Sequence, residues 1–91
     1  VMLRNSNIFR IRNILVSRLD SSDIKFYGYC LTDKQDFYFH PEPSSVVGIY
    51  KVTDNNVAQA YKQVYNVSEF VCKCVGLPLE GNAIVAECML H

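Results

Sequence analysis

EFVCKCVGLPLEGNAIVAECML, residues 69–90, sets apolar side chains at every second position on either side of Pro78-Leu79-Glu80-Gly81. Period-two alternation interrupted by proline and glycine predicts a β-hairpin, Phe70 to Leu77 paired with Asn82 to Leu90. Alternation puts Phe70, Cys72, Cys74 and Gly76 on one face of the first strand. It puts Ile84, Ala86, Cys88 and Leu90 on one face of the second. Gly76, inside a strand, marks a sharp bend of the kind a small barrel needs to close, and Gly28 stands in the same position within an earlier strand.

Upstream of the hairpin, Val57, Ala60, Tyr61, Val64 and Tyr65 follow the i, i+3, i+4, i+7, i+8 series behind the capping run Asp54-Asn55-Asn56, which predicts a helix. Ser45 to Thr53 reads as a strand with a bend at Gly48. Asp36 to His40 reads as another, ended by Pro41 and Pro43 because proline donates nothing to a sheet ladder. Thr32-Asp33-Lys34-Gln35 reads as the turn before it, and the aromatic run Ile24 to Leu31 as the preceding strand. Asp20 to Asp23 is a turn cluster. Between Asn7 and Leu19, Ile8, Ile11, Ile14, Leu15 and Leu19 fall at helical spacing behind Ser6 or Asn7 as a cap, with a short first strand as the competing reading.

The order is then strand, strand, strand, short helix, strand, strand. That is the plan of the five-stranded OB-fold, a mostly β Greek-key barrel with one short helix between its third and fourth strands. An unrelated five-stranded barrel or an α+β sandwich has the same order of elements. The 91 residues make one domain, 1–91, with a basic segment at 1–19.

Formal charge is zero but uneven: residues 1–19 carry Arg4, Arg10, Arg12 and Arg18 and no acid, while residues 20–91 carry five lysines and nine acids. A field that draws in nucleic acid from every side is absent, so any phosphate contact is local. Nearly half the residues are hydrophobic, which predicts a folded chain. The longest apolar runs fall well short of a bilayer span, and residues 1–13 lack the apolar block of a signal peptide, so the expectation is a soluble intracellular protein without membrane contact. Asn66-Val67-Ser68 matches a glycosylation acceptor, silent in that setting.

Four cysteines, Cys30, Cys72, Cys74 and Cys88, raise disulfide and zinc readings. Zinc ligands usually come in C-x2-C pairs from turns, whereas Cys72 and Cys74 are two apart in a strand. The expectation is four buried, reduced thiols packed as small hydrophobes, with no metal and no cofactor. His40 beside Pro41 and His91 lack an acid at motif spacing, and neither a GxSxG elbow nor a phosphate loop is present, so no catalytic residue is assigned.

The patterns DIKFYGYCL, residues 23–31, and EFVCKCVGLPLEGNAIVAECML resemble those of small single-OB-fold subunits of single-strand-binding and telomere-capping complexes. These include the small subunit of replication protein A, the smallest subunit of the CST complex and the OB proteins of fly telomere caps. The resemblance covers roughly residues 10–91 and rests on pattern and spacing. It implies a nuclear, non-enzymatic subunit that holds a larger OB-fold protein as its partner and meets single-stranded nucleic acid through the complex. The C-terminal helix that such subunits often carry has no counterpart before His91.

Two surfaces follow. Single-strand binding needs aromatic platforms and cations on one barrel face, and alternation along Ile24 to Leu31 turns Lys25, Tyr27 and Tyr29 outward, to be joined by Tyr38 and Lys73. A protein interface uses tyrosine and arginine as anchors, and the residues offered for that role are Arg10, Arg12, Tyr61 and Tyr65.

Overall fold

The computed structural model describes residues 1–20, 22–54 and 63–89. Its elements are β1 (Met2–Leu3), β2 (Phe9–Val16), β3 (Ile24–Cys30), β4 (Thr32–Asp36), β5 (Ile49–Thr53), β6 (Gln63–Tyr65), β7 (Phe70–Pro78) and β8 (Ala83–Met89). Short 3-10 turns lie at Ser44–Val47 and Val67–Glu69. The chain is mostly β. One sheet runs β1-β7-β8-β5-β4 and the other β2-β3-β6, and the pairings within both are antiparallel.

The hairpin of residues 70–89 forms as its alternation requires, with Cys74 opposite Cys88 and Gly76 opposite Ala86. Gly81 takes a φ of 66°, and the turn closes with the Leu79 amide donating to the Ala83 carbonyl at 2.8 Å. β8, and not β7, lies beside β5, while β7 reaches β1. The two sheets join at two seams. Leu31 alone separates β3 from β4 and donates its amide to the Ile8 carbonyl at 2.8 Å, and β1 turns into β2 through a Met2–Ile8 bridge. The sheets therefore curl around one core of Ile8, Val52, Ala86 and Cys88, against which Met2, Leu31, Tyr50 and Ile84 pack. A second cluster is aromatic: Phe9 lies 5.1 Å edge-on from Tyr65, and Phe26 lies 4.8 Å from Phe70.

The helix expected over Asn7 to Leu19 is a strand, and a bulge explains the misreading. Ile11 pairs with Gly28 and Asn13 with Tyr27, leaving Arg12 as the extra residue. Phe9, Ile11, Ile14 and Val16 therefore face the same way as Cys30, Gly28, Phe26 and Ile24. Insertion of one residue turns a spacing of two into a spacing of three, which imitates a helix. Beside the bulge β2 comes very close to β3, since a Cβ on Gly28 would lie 1.9 Å from the Arg10 carbonyl oxygen.

The turn expected at Thr32 to Gln35 is also a strand, β4, an exposed edge paired with β5. Its polar side chains suit an edge that must not recruit further strands. Of the strand expected over Asp36 to His40, Asp36 ends β4 and the rest is a loop, closed around a buried hydroxyl. Ser44 Oγ accepts from the Phe37 amide at 2.7 Å and donates to the Ile49 carbonyl at 2.8 Å. Ser45 to Val47, expected to open the third strand, lie in the 3-10 turn Ser44–Val47, and the strand begins at Ile49. Of the helix expected over Val57 to Tyr65, the stretch 57–62 lies outside the described residues, and Gln63–Tyr65 is a strand paired with β3. Among the described residues no helix is long and apolar enough to cross a membrane.

Candidate interaction surface

The five residues expected to meet nucleic acid are not brought onto one face. Tyr29 is only 6% exposed. Its hydroxyl donates to Asp54 Oδ1 at 2.6 Å, so its ring is packed and offers no stacking platform. Burial, and then the hydrogen bond to Asp54, pushes its hydroxyl above the usual tyrosine pKa. Lys25 donates to Asn66 Oδ1 at 2.6 Å and lies 3.4 Å from Asp23. Tyr27, half-buried, shares its strand face with Lys25 and Tyr29. Tyr38 stands on the other sheet, beside Phe37. Lys73, exposed on β7, borders an open cleft between β2 and β7.

Of the four partner anchors, Arg10 is paired with the Asp54 carboxylate. Tyr65 donates its hydroxyl to Gln63 Oε1 at 2.8 Å and seats its ring on Phe9. Both act within the fold. Arg12, the bulged residue of β2, is exposed. Tyr61 lies outside the described residues.

The same alternation that sets the inner face of the hairpin also specifies its outer face. Positions between the core residues of β7 and β8 are Val71, Lys73, Val75 and Leu77, and Val85, Glu87 and Met89, and most of them are apolar. An antiparallel sheet with one wet face normally carries polar residues there. Val75 is 51% exposed and Leu77 63% exposed. Phe37 and Tyr38, held by the Ser44 loop, stand over this face with Ile49 and enclose a groove of about 220 Å³. The groove combines an apolar floor with two aromatic rims, the form in which protein anchors are seated.

On the inner face, Cys72, Cys74 and Cys88 converge, their sulfurs all within 4.8 Å of one another. Cys74 and Cys88 share a thiol hydrogen bond at 2.8 Å. Burial pushes the thiols of Cys74 and Cys88 above the usual cysteine pKa. Cys30 stands apart, against Gln63 Oε1 at 3.5 Å. Burial of all four thiols was the expectation, but Cys88 alone is fully buried and the other three are half-buried.

A family model described as a domain of unknown function matches residues 1–88. No curated protein and no solved structure matches the chain.

Proposed function

The chain belongs to that family, DUF8592, and from the geometry of its outer sheet face we propose that it is a non-catalytic protein-binding module, a subunit that scaffolds a complex. The single observation that carries this reading is the exposure of Val75 and Leu77 on the face of β7 that turns away from the core. Contiguous exposed apolar surface on a small domain marks an interaction site. The apolar groove beneath Phe37 and Tyr38 supplies a pocket for an anchor from the partner.

The finer reading makes the barrel an OB-fold and the chain a nuclear subunit of a telomere or single-stranded-DNA-binding complex, with a larger OB-fold protein as its partner. It rests on the resemblance of residues 23–31 and 69–90. It is supported by the crossover that sets β8 between β7 and β5, a Greek-key feature. In this reading nucleic acid is met by the assembled complex, because Tyr29 is packed and Lys25 is paired.

The test is recovery of the tagged full-length protein from its native cells, as wild type and as Leu77→Glu. The expected result is a stoichiometric partner with the wild type, lost with Leu77→Glu while the purified variant melts as the parent does. Equal recovery of the partner by both proteins defeats the assignment of this face. Fluorescence anisotropy with labelled single strands, on the protein alone and with its partner, separates the alternative. Tight, salt-sensitive binding by the protein alone would make it a direct nucleic-acid reader.

A further inference from the structure

Cysteines two apart on one strand project to the same side, and the hairpin register sets Cys88 directly across from Cys74. Three sulfurs thus gather on the inner wall of the barrel from two rigid, paired strands. Met2, Tyr50 and Ile84 belong to the same packed layer, so the surroundings are apolar. Ordinary packing of small hydrophobes asks only for burial. Mutual convergence of three soft ligand atoms within 4.8 Å is a stronger arrangement than packing needs.

We propose that Cys72, Cys74 and Cys88 hold a thiophilic divalent metal ion, zinc, with the fourth coordination position turned toward the cleft between β2 and β7. Tetrahedral zinc with Zn–S bonds of about 2.3 Å sets its sulfurs roughly 3.8 Å apart. Cys74 and Cys88, now 2.8 Å apart, have to separate by about 1 Å to reach that spacing. Sulfur donors select zinc and monovalent copper over harder ions. Charge decides between these two. Three thiolates in apolar surroundings leave a net charge of about −1 around zinc and about −2 around monovalent copper, and the smaller buried charge costs less. Among the described residues no histidine or carboxylate joins the three sulfurs. Cys74 also lines the cleft of about 590 Å³, through which water reaches the fourth position. Binding exchanges three S–H bonds for three Zn–S bonds and releases three protons to solvent, with no change of oxidation state.

The experiment titrates the reduced, metal-free full chain with Co²⁺ under anaerobic conditions and then displaces it with Zn²⁺. The expected result is one ion per chain, a thiolate-to-cobalt band in the near ultraviolet, the intense visible bands of four-coordination, and their loss on adding zinc. Cys30→Ser, outside the cluster, should keep this behaviour. Cys72→Ser should weaken binding by more than the roughly 10–100-fold that loss of an outer-shell partner costs. Should that variant not fold, alkylation of the wild type gives the same answer: zinc should shield three thiols and leave Cys30 open to the reagent. Absence of the charge-transfer band, equal affinity in the two variants, or zinc shielding none of the three thiols would overturn the site. Uptake of monovalent copper without cobalt or zinc would overturn the divalent assignment.

Discussion

Tyr29 and Arg10, neighbours across the β2–β3 ladder, take opposite oxygens of one carboxylate: the tyrosine hydroxyl reaches Asp54 Oδ1 at 2.6 Å and the guanidinium takes Oδ2. Asp54 follows directly on β5, so these contacts tie one sheet to the end of the other. Replacing the tyrosine with phenylalanine keeps the ring and removes the donor. Tyr29→Phe is expected to destabilise the protein by about 1.5–3 kcal/mol in urea unfolding, the usual range for a hydrogen bond to a charged group. Because the folded state raises the pKa of Tyr29, its contribution is complete below the ordinary tyrosine pKa near 10 and is lost as pH rises through the higher folded value. Wild type and Tyr29→Phe should therefore converge in stability at alkaline pH. A gap that widens there would contradict the contact.

Two glycines with similar sequence surroundings should respond very differently to a methyl group. At Gly28 the added Cβ meets the Arg10 carbonyl oxygen at 1.9 Å, a backbone atom held in the ladder. Gly28→Ala should cost about 3 kcal/mol or more, at the upper end of the overpacking range. At Gly76 the nearest atom is Ile84 Cγ2 at 3.3 Å, the end of a side chain that can yield. Gly76→Ala should stay within about 1 kcal/mol of the parent. Thermal melts of the pair check both, and equal shifts would place the bend of the barrel elsewhere.

Asp36 accepts a hydrogen bond from the Ser45 amide at 2.7 Å. Hydrogen bonds from Ser45 hold its carboxyl below the usual carboxylate range. A depressed folded pKa gives stability that is present above the unfolded value and lost as pH falls through the folded one. Asp36→Asn should therefore show a shallower loss of stability below pH 4 than the wild type. Parallel acid-denaturation curves would remove the carboxylate from the account.

The last pair tests the region expected to be helical. Val64 is half exposed on β6, while the adjacent Tyr65 packs its ring against Phe9. Val64→Asp should change stability by less than about 1 kcal/mol, and Tyr65→Ala should cost about 3 kcal/mol by emptying part of the aromatic cluster. A helix facing the barrel with Val64 gives the reverse order.

Legibility in the sequence followed the locality of the interactions. The β7–β8 hairpin was readable because alternation and a short turn set its register within some twenty residues. The same register already contained the cysteine cluster, for a turn centred on Gly81 sets Cys88 opposite Cys74. Spacing along one strand speaks against zinc, whereas the register of the hairpin adds a third thiol from the other strand. β4 was unreadable because TDKQD carries no apolar pattern and becomes a strand only by pairing with β5. Parity places Tyr29 on the surface, yet β3 is covered on both faces near Gly28, so parity alone does not separate wet from dry there. The apolar outer face of β7–β8 was present in the residues all along, and Val75 and Leu77 needed only to be read as a second set.

The bulge at Arg12 also fixes where this chain can change length. Deleting Arg12 or Asn13 leaves Phe9 and Ile11 in place and brings Ile14 and Val16 into simple alternation on their present face, opposite the same partners of β3. Deleting any one of Phe26 to Tyr29 instead turns every later side chain of β3 to the wrong side of the sheet. Among aligned sequences, gaps of one residue belong at positions 12 and 13, and the facing stretch of β3 should admit none.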